Sequence, residues 1–467
     1  MVPYGPTAVA FNCPTSTLWL SMDTLTESSP LIVPTTADYL SARPPSFIQT
    51  RRTHSKGAIR STFSLWRTQT VSFAISSLFL AAVVIWAVAS YLWESRWSWW
   101  SGTPRQAFEW DDRDKWGGEE ATRDVRYYAH QAGFDIIDEE VETEDGFLLR
   151  VHRVVSPRRV REGTDKGLFQ SSGAFITSEE RSLAFWLAEH AGYQVFLGNT
   201  RCVFDMGHTS YAKDDPRFWD WTIRDLATYD FPALINHVSC ATGHPKIAFI
   251  GHSQGTALAF LALALRPALG TQLLCFIALA PAVFAGPLTA RFPLNLLSHL
   301  GWERWQACFG VRDFIPAMRL ASAWEWVPPS MFAAVGYAVF ACLFGWTDRH
   351  WLLRRKTKVF RFTPSPVSSA SMFWLVILAA MSDPANASTD RWCGASSFAA
   401  RRCILDPARP RWFEPKTFPP LALYYGGQDY LVDAEKLLER LSTREGVRVI
   451  RTCKIECEHC DFYLAGK

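Results

Sequence analysis

A serine in a glycine-bracketed turn, an aspartate and a late histidine are the residues here whose types and spacing suit acyl transfer. The serine is Ser253, in Gly251-His252-Ser253-Gln254-Gly255. An apolar run, Ile247-Ala248-Phe249-Ile250, precedes the pentapeptide, and a helix-forming run, Thr256–Leu265, follows it. Strand, tight Gly-x-Ser-x-Gly turn, helix is the context in which that motif means a nucleophile. The turn pushes the hydroxyl out at the C-terminal edge of a parallel sheet. The helix behind it aims N–H groups at the charge that develops during acyl transfer.

A serine nucleophile needs a base, and the base needs an orienting acid. On a sheet of this kind the chain order is Ser, then Asp or Glu, then His, the last two on loops after late strands. Asp429 follows the strand Pro420–Tyr425 in the turn Gly426-Gly427-Gln428-Asp429, and His459 follows the final strand, Val447–Ile455. Asp433 is the rival acid. It is placed in the first turn of the next helix, Ala434–Ser442, where a carboxylate satisfies free N–H groups. His252 adjoins the nucleophile but points away from it and reads as packing. The oxyanion calls for two backbone donors: Gln254, the residue after the nucleophile, and Leu168, in the loop after an earlier strand. Cys453, Cys457, His459 and Cys460 cluster near the end of the chain, but their spacing fits no standard zinc site, so no metal is expected.

These residues must be held by alternating strands and helices. The strands are two in Asp138–Val155, around the hairpin signal Glu144-Asp145-Gly146, then Tyr193–Gly198, Ile247–Ile250, Gln272–Ala282, Pro420–Tyr425 and Val447–Ile455. The helices are Ala121–Ala132, Arg181–Ala191, Thr222–Val238 with Pro232 near a bend, and Thr256–Leu265. The alternation predicts an α/β fold with a mostly parallel, doubly wound sheet. Between Ser156 and Lys166 the chain is polar, where a parallel sheet wants a buried strand. One central strand is therefore expected to be missing. From about 283 to 419 the alternation stops, and an apolar, Trp-rich insertion reads as a helical cap over the site. It includes Trp326–Trp346 and Met372–Met381, helices that Pro328, Pro329 and short length keep from spanning a membrane.

The remaining segments argue for a membrane. Residues 1–70 are rich in Ser, Thr and Pro and read as a disordered cytosolic tail. Val71–Trp93 carries no charge; as a helix rising ~1.5 Å per residue it spans ~35 Å, enough for one crossing. Residues 94–119 are a linker to the catalytic domain, 120–467. The chain has 21 Trp and 32 Phe, many in runs such as Trp97-Ser98-Trp99-Trp100, which suits an interface between apolar and wet phases. A net charge of +3 is too small to argue for nucleic acid. The eleven cysteines are scattered and odd in number, so no disulfide framework is read.

Taken together, TEDGFLLRVHR, GLFQSSGAFITSEERSLAFWLAEHAGYQVFLGNTR, DPRFWDWTIRDLATYDFPALI, GHSQGT, FGWTDRHW and YYGGQDYLVD are specific. The chain resembles the acid lipase and steryl ester hydrolase family, within the α/β-hydrolase lipases, most closely its fungal membrane-anchored members. The resemblance covers most of residues 120–465. It implies cofactor-free hydrolysis of steryl esters or acylglycerols at a membrane or lipid-droplet surface. It also implies Ser253 as nucleophile, Asp429 as acid, His459 as base, and Leu168 and Gln254 as the oxyanion pair. Four departures are visible. Lys166 stands where the family has the histidine of a strand-ending His-Gly, and the strand itself is not seen. Cys202 stands where GNTR continues with glycine. Val376–Ser397 interrupts a family helix, and the chain stops at Lys467, before a closing helix. Three readings follow: a membrane-anchored serine esterase, a non-catalytic lipid-binding membrane protein derived from one, and a multi-pass protein that would treat both cap runs as spans. Sterol ester against triglyceride, organelle and oligomeric state are open at this level.

Arg51, Arg52, Lys56, Arg60 and Arg67 precede the apolar run, so the positive-inside rule puts the tail in the cytosol and the catalytic domain across the membrane. A droplet hairpin or a helix lying in a monolayer would escape that rule. If it holds, the acceptor Asn386-Ala387-Ser388 is lumenal, and glycosidase treatment of the expressed protein increases its gel mobility. An unmodified Asn386 contradicts the lumenal placement.

Overall fold

The sheet is continuous. A computed structural model of the protein describes residues 58–100, 120–156, 167–170, 172–290, 297, 300–317, 327–380, 403–405 and 409–465. Its strands are β1 (Asp135–Glu142), β2 (Leu148–Val155), β3 (Gly167–Gln170), β4 (Gln194–Gly198), β5 (Ile247–His252), β6 (Leu273–Leu279), β7 (Leu421–Gly426) and β8 (Val449–Ile455). They form one eight-stranded sheet in the order β1-β2-β4-β3-β5-β6-β7-β8. β1 and β2 pair antiparallel, as do β2 and β4; every other pairing is parallel.

The expected gap is therefore filled, which corrects the sequence reading. Gly167-Leu168-Phe169-Gln170, expected to lie after the strand, is itself the strand, parallel to β4 on one side and β5 on the other. The physical reason is the ladder. Buried N–H and C=O groups on β4 and β5 need partners, and any backbone can supply them whatever its side chains. The polar stretch 157–166 lies outside the described residues.

Alternation along the strands fills two cores. In β5, Ile247 and Phe249 join one cluster while Ala248 and Ile250 join the other; Phe196 and its neighbours Val195 and Leu197 divide in the same way on β4. One face is covered by α2 (Val125–Gln131) and α3 (Leu183–Glu189), through Tyr128 and Phe185. The other is covered by α4 (Phe231–Thr242) and α5 (Gln254–Leu265), through Phe231 and Phe260. The bend expected at Pro232 is a π-helical turn, Leu226–Asp230, running into α4.

The insertion between β6 and β7, read from the sequence as a cap, contains α6 (Trp302–Phe309), α7 (Pro329–Phe344), α8 (Leu353–Phe362) and α9 (Ser369–Ala380). Among the described residues only α1 (Ala58–Trp100) holds a stretch long and apolar enough to cross a membrane, Thr68–Trp93. α1 runs beyond the 71–93 span at both ends, because a nucleated helix extends at little further cost. Leu78, Ile85, Leu92 and Trp93 stay exposed, while Ser72, Ser76, Val83 and Ala87 are buried. α1 meets the cap with Phe79 edge-on to Phe309 and Tyr91 edge-on to Tyr337. The tail before residue 58, residues 101–119 and most of Val376–Ser397 lie outside the described residues.

A buried ion network ties the early strands together. Arg201, after β4, donates to both oxygens of Asp145 in the β1–β2 turn (2.9 and 3.1 Å) and, through Nε, to Asp230 (2.9 Å). Its guanidinium lies 3.9 Å over the Phe147 ring. The two carboxylates hold Arg201 firmly protonated against the opposing effect of burial. The next residue, Cys202, has φ +67°, in the left-handed region that glycine occupies without a steric penalty. Nothing in the structure explains a cysteine there. Asp230 is fully buried, so Arg201→Ala leaves an unpaired buried charge and should cost about 3–5 kcal/mol in stability. Denaturant titration of the variant checks this; a loss under about 1 kcal/mol contradicts it.

Candidate active site

The serine turn stores its strain at the serine. Ser253 has φ +49° and ψ −113°, a conformation that is costly for a non-glycine residue and is held only by its surroundings. Its N–H donates to the Leu279 carbonyl at the end of β6 (3.0 Å), and its carbonyl accepts from Thr256 and Ala257 as α5 begins. The Thr256 hydroxyl donates to the same carbonyl (2.6 Å) and accepts from the Ala282 N–H (2.9 Å). Of the two motif glycines only Gly251 is sterically required. A Cβ there would come within 3.0 Å of the Gly255 and Thr256 backbone, whereas one at Gly255 meets open space.

Asp429 sits in the turn after β7. Its Oδ1 accepts from the Leu431 and Val432 N–H groups (3.0 and 3.4 Å), which leaves Oδ2 for the histidine. Gly426 cannot carry a side chain, since a Cβ would lie 2.3 Å from the Cys457 carbonyl. That close approach lets the two loops bond directly: Gly427 N–H to Ile455 (2.7 Å) and Gln428 N–H to Cys457 (3.1 Å). His459 follows on the second loop. Asp433, the rival acid, instead caps α10 (Ala434–Arg440), accepting from the Lys436 N–H (3.0 Å).

The three side chains form one hydrogen-bonded line. His459 Nδ1 lies 2.7 Å from Asp429 Oδ2, and Nε2 lies 2.7 Å from Ser253 Oγ. A carboxylate accepts, so Nδ1 carries the proton and Nε2 is left to accept from the hydroxyl. The His459 and Asp429 side chains are only 3% and 2% exposed, so water competes little for either bond.

The remaining candidates divide. Gln254 opens α5, and a first-turn N–H has no partner within the helix. Leu168 is not brought to the site. It pairs with Val195 and Ala248 inside the sheet, and Ala248 lies five residues before Ser253 (253 − 248). At ~3.3 Å per residue that is roughly 16 Å from the serine's level. A short helical turn, Ser172–Phe175, follows β3. Cys457 and Cys460 are buried, and among the described residues no group of three or more His, Cys, Asp or Glu is placed to hold a metal ion.

His252 is more than packing. Its Nε2 donates to the His459 carbonyl (2.7 Å), a second hold on the loop that carries His459. Sequence reasoning also missed Trp346, whose ring lies parallel to the His459 imidazole with centroids 6.0 Å apart. The stretch around Trp346 is distinctive, but nothing local says which loop it touches.

A partial α/β-hydrolase lipase region matches residues 125–179. Sterol esterase 2 of Saccharomyces cerevisiae is 31% identical over 380 residues, 73% of this chain and 69% of the yeast protein. The chain belongs to the acid lipase and steryl ester hydrolase family. It is thereby a carboxylic ester hydrolase of α/β-hydrolase fold, as the resemblance implied. Gastric triacylglycerol lipase of Rattus norvegicus is 34% identical over 210 residues, 43% of this chain and about half, 52%, of the lipase. Lipase member K of Homo sapiens is 26% identical over 364 residues, 74% of this chain and 87% of that protein.

The buried His252 gives this family member a pH signature. Burial first, and then the neighbouring His459 ring, push its pKa from the usual 6.5 down to about 3. Folded His252 stays neutral where the unfolded chain takes up a proton. Stability therefore falls as pH drops from about 6.5 toward 3, by up to about 1.4 kcal/mol per pH unit from this group. His252→Gln should flatten that slope. Urea midpoints at several pH values between 7 and 4 measure it; equal slopes in both proteins contradict the assignment.

Proposed function

We propose that this protein is a single-pass membrane serine hydrolase cleaving long-chain lipid esters, steryl esters or acylglycerols, through an acyl-enzyme. The Ser253–His459–Asp429 line, with both contacts at 2.7 Å, carries the reading. His459 Nε2 takes the Ser253 proton as Oγ attacks the ester carbonyl, and Asp429 holds the imidazole in the required tautomer. The Gln254 N–H stabilises the oxyanion. Collapse of the tetrahedral species expels the alcohol, which takes the proton from His459. Water then attacks the acyl-enzyme by the same route, regenerating Ser253 and releasing the acid.

The substrate class rests on the relatives, which are named for sterol esters and triacylglycerols. It suits the apolar cap, whose Trp302, Trp305, Phe309 and Phe373 form a cluster of their own. Membrane attachment rests on α1 and on its exposed apolar face. A non-catalytic descendant was attractive while the sheet lacked a central strand; β3 removes that argument.

The wild-type chain should react with a fluorophosphonate probe and release fatty acid from cholesteryl oleate in mixed micelles. Ser253→Ala should abolish both while leaving the melting temperature within a few degrees. Persistent labelling of the alanine variant would remove Ser253 from its role.

A further inference from the structure

Both carboxylates that flank His459 in sequence are engaged by the cap. The Thr347 N–H donates to one oxygen of Glu458 (2.7 Å), and the Thr347 hydroxyl donates to the other (2.7 Å). Asp461 accepts from the Trp351 indole N–H through Oδ1 (2.7 Å), and its Oδ2 lies 3.0 Å from His350 Nδ1. That same Oδ2 accepts from the Glu458 N–H (2.9 Å), which closes the loop around His459. Between these anchors the Trp346 ring lies parallel to the imidazole. The cap segment is itself braced: Lys356 pairs with Asp348 (2.8 Å), Trp346 stacks on Phe340, and Trp351 packs against Tyr337.

The triad bonds do not require this arrangement. Glu458 and Asp461 are 8% and 6% exposed, and carboxylates are rarely buried unless something binds them. Burial pushes the Glu458 pKa up, and the two Thr347 donors work against that rise. Two donors from one residue, each on its own carboxylate oxygen, fix orientation as well as distance. The imidazole must meet Asp429 and Ser253 at once, and such a constellation tolerates displacements of only about 0.5 Å.

We infer that the cap segment Trp346–Trp351 positions the base His459, acting through Glu458 and Asp461 and covering the ring with Trp346. This rests on the assignment of His459 as base in the proposed function. Thr347, Glu458 and Asp461 are positioning residues. Seating of the cap and alignment of the base are one event: a cap lifted from Glu458 releases the loop that carries His459.

The test uses the full chain in detergent micelles with p-nitrophenyl butyrate, an ester small enough to reach the serine without engaging a long-chain site. Active sites are counted by fluorophosphonate titration, so misfolded protein does not enter the rate. Thr347→Val keeps the shape and removes the hydroxyl donor. It should lower kcat per titrated site about tenfold with KM within about twofold. Thr347→Ser restores the donor and should stay within about twofold of wild type in both. An unchanged kcat per site in Thr347→Val overturns the inference. So does an equal loss in Thr347→Ser, or a loss seen only in KM or only as fewer titratable sites. Wild-type protein with no titratable serine would instead overturn the parent reading, and this inference with it.

Discussion

Everything at the centre depends on one imidazole held in one orientation. His459 has two ring nitrogens and two separate obligations, and a ring turned by a few tens of degrees meets neither. The fold answers with support from several directions. Asp429 takes Nδ1, His252 holds the main-chain carbonyl, and the β7 and β8 loops are sewn together by backbone bonds. The last of these works only because Gly426 lets Cys457 approach within a distance that no side chain tolerates. Asp429 and His459 thus do not sit on two independent loops that meet. They form one rigid corner, whose geometry is inherited from strand register.

Ser253 comes from the other side of the same constraint. Ser253 is strained, and it stays so because Leu279, Thr256 and Ala282 pin the turn to β6 and α5. Stored backbone strain needs a rigid frame to persist, and the frame is a continuous eight-stranded sheet. The short strand β3 therefore matters beyond its four residues. It stands between β4 and β5, beside the strand that presents the nucleophile. With Gly167–Gln170 in the ladder, Leu168 is a strand residue and not a loop residue.

How much of this could be read from the sequence follows from what is local. Ser253, Asp429 and His459 were legible because each ends a strand with its own signature, and Asp433 was placed in the next helix's first turn by capping chemistry alone. Most strands were legible because apolar runs between turn residues have few alternative folds. β3 was not, since it is set by the demands of its neighbours and not by its own side chains. The loop placement of Leu168 failed for the same reason: a one-dimensional motif carries no register. Thr347 and Glu458 were each visible, yet 111 residues separate them, and no local rule pairs them. His252 was underestimated because its value lies in a bond to a carbonyl, which every residue has.

The central claim is that Asp429, by fixing His459 in one tautomer, makes Ser253 nucleophilic. The most direct measurement is the second-order rate of fluorophosphonate reaction at Ser253 in wild type and in Asp429→Asn, an exchange that keeps the shape and inverts the hydrogen-bond demand. A fall of about 1,000- to 10,000-fold is expected in a variant that is still folded. A rate within about tenfold of wild type would show that the serine draws its reactivity from elsewhere, and would contradict the account.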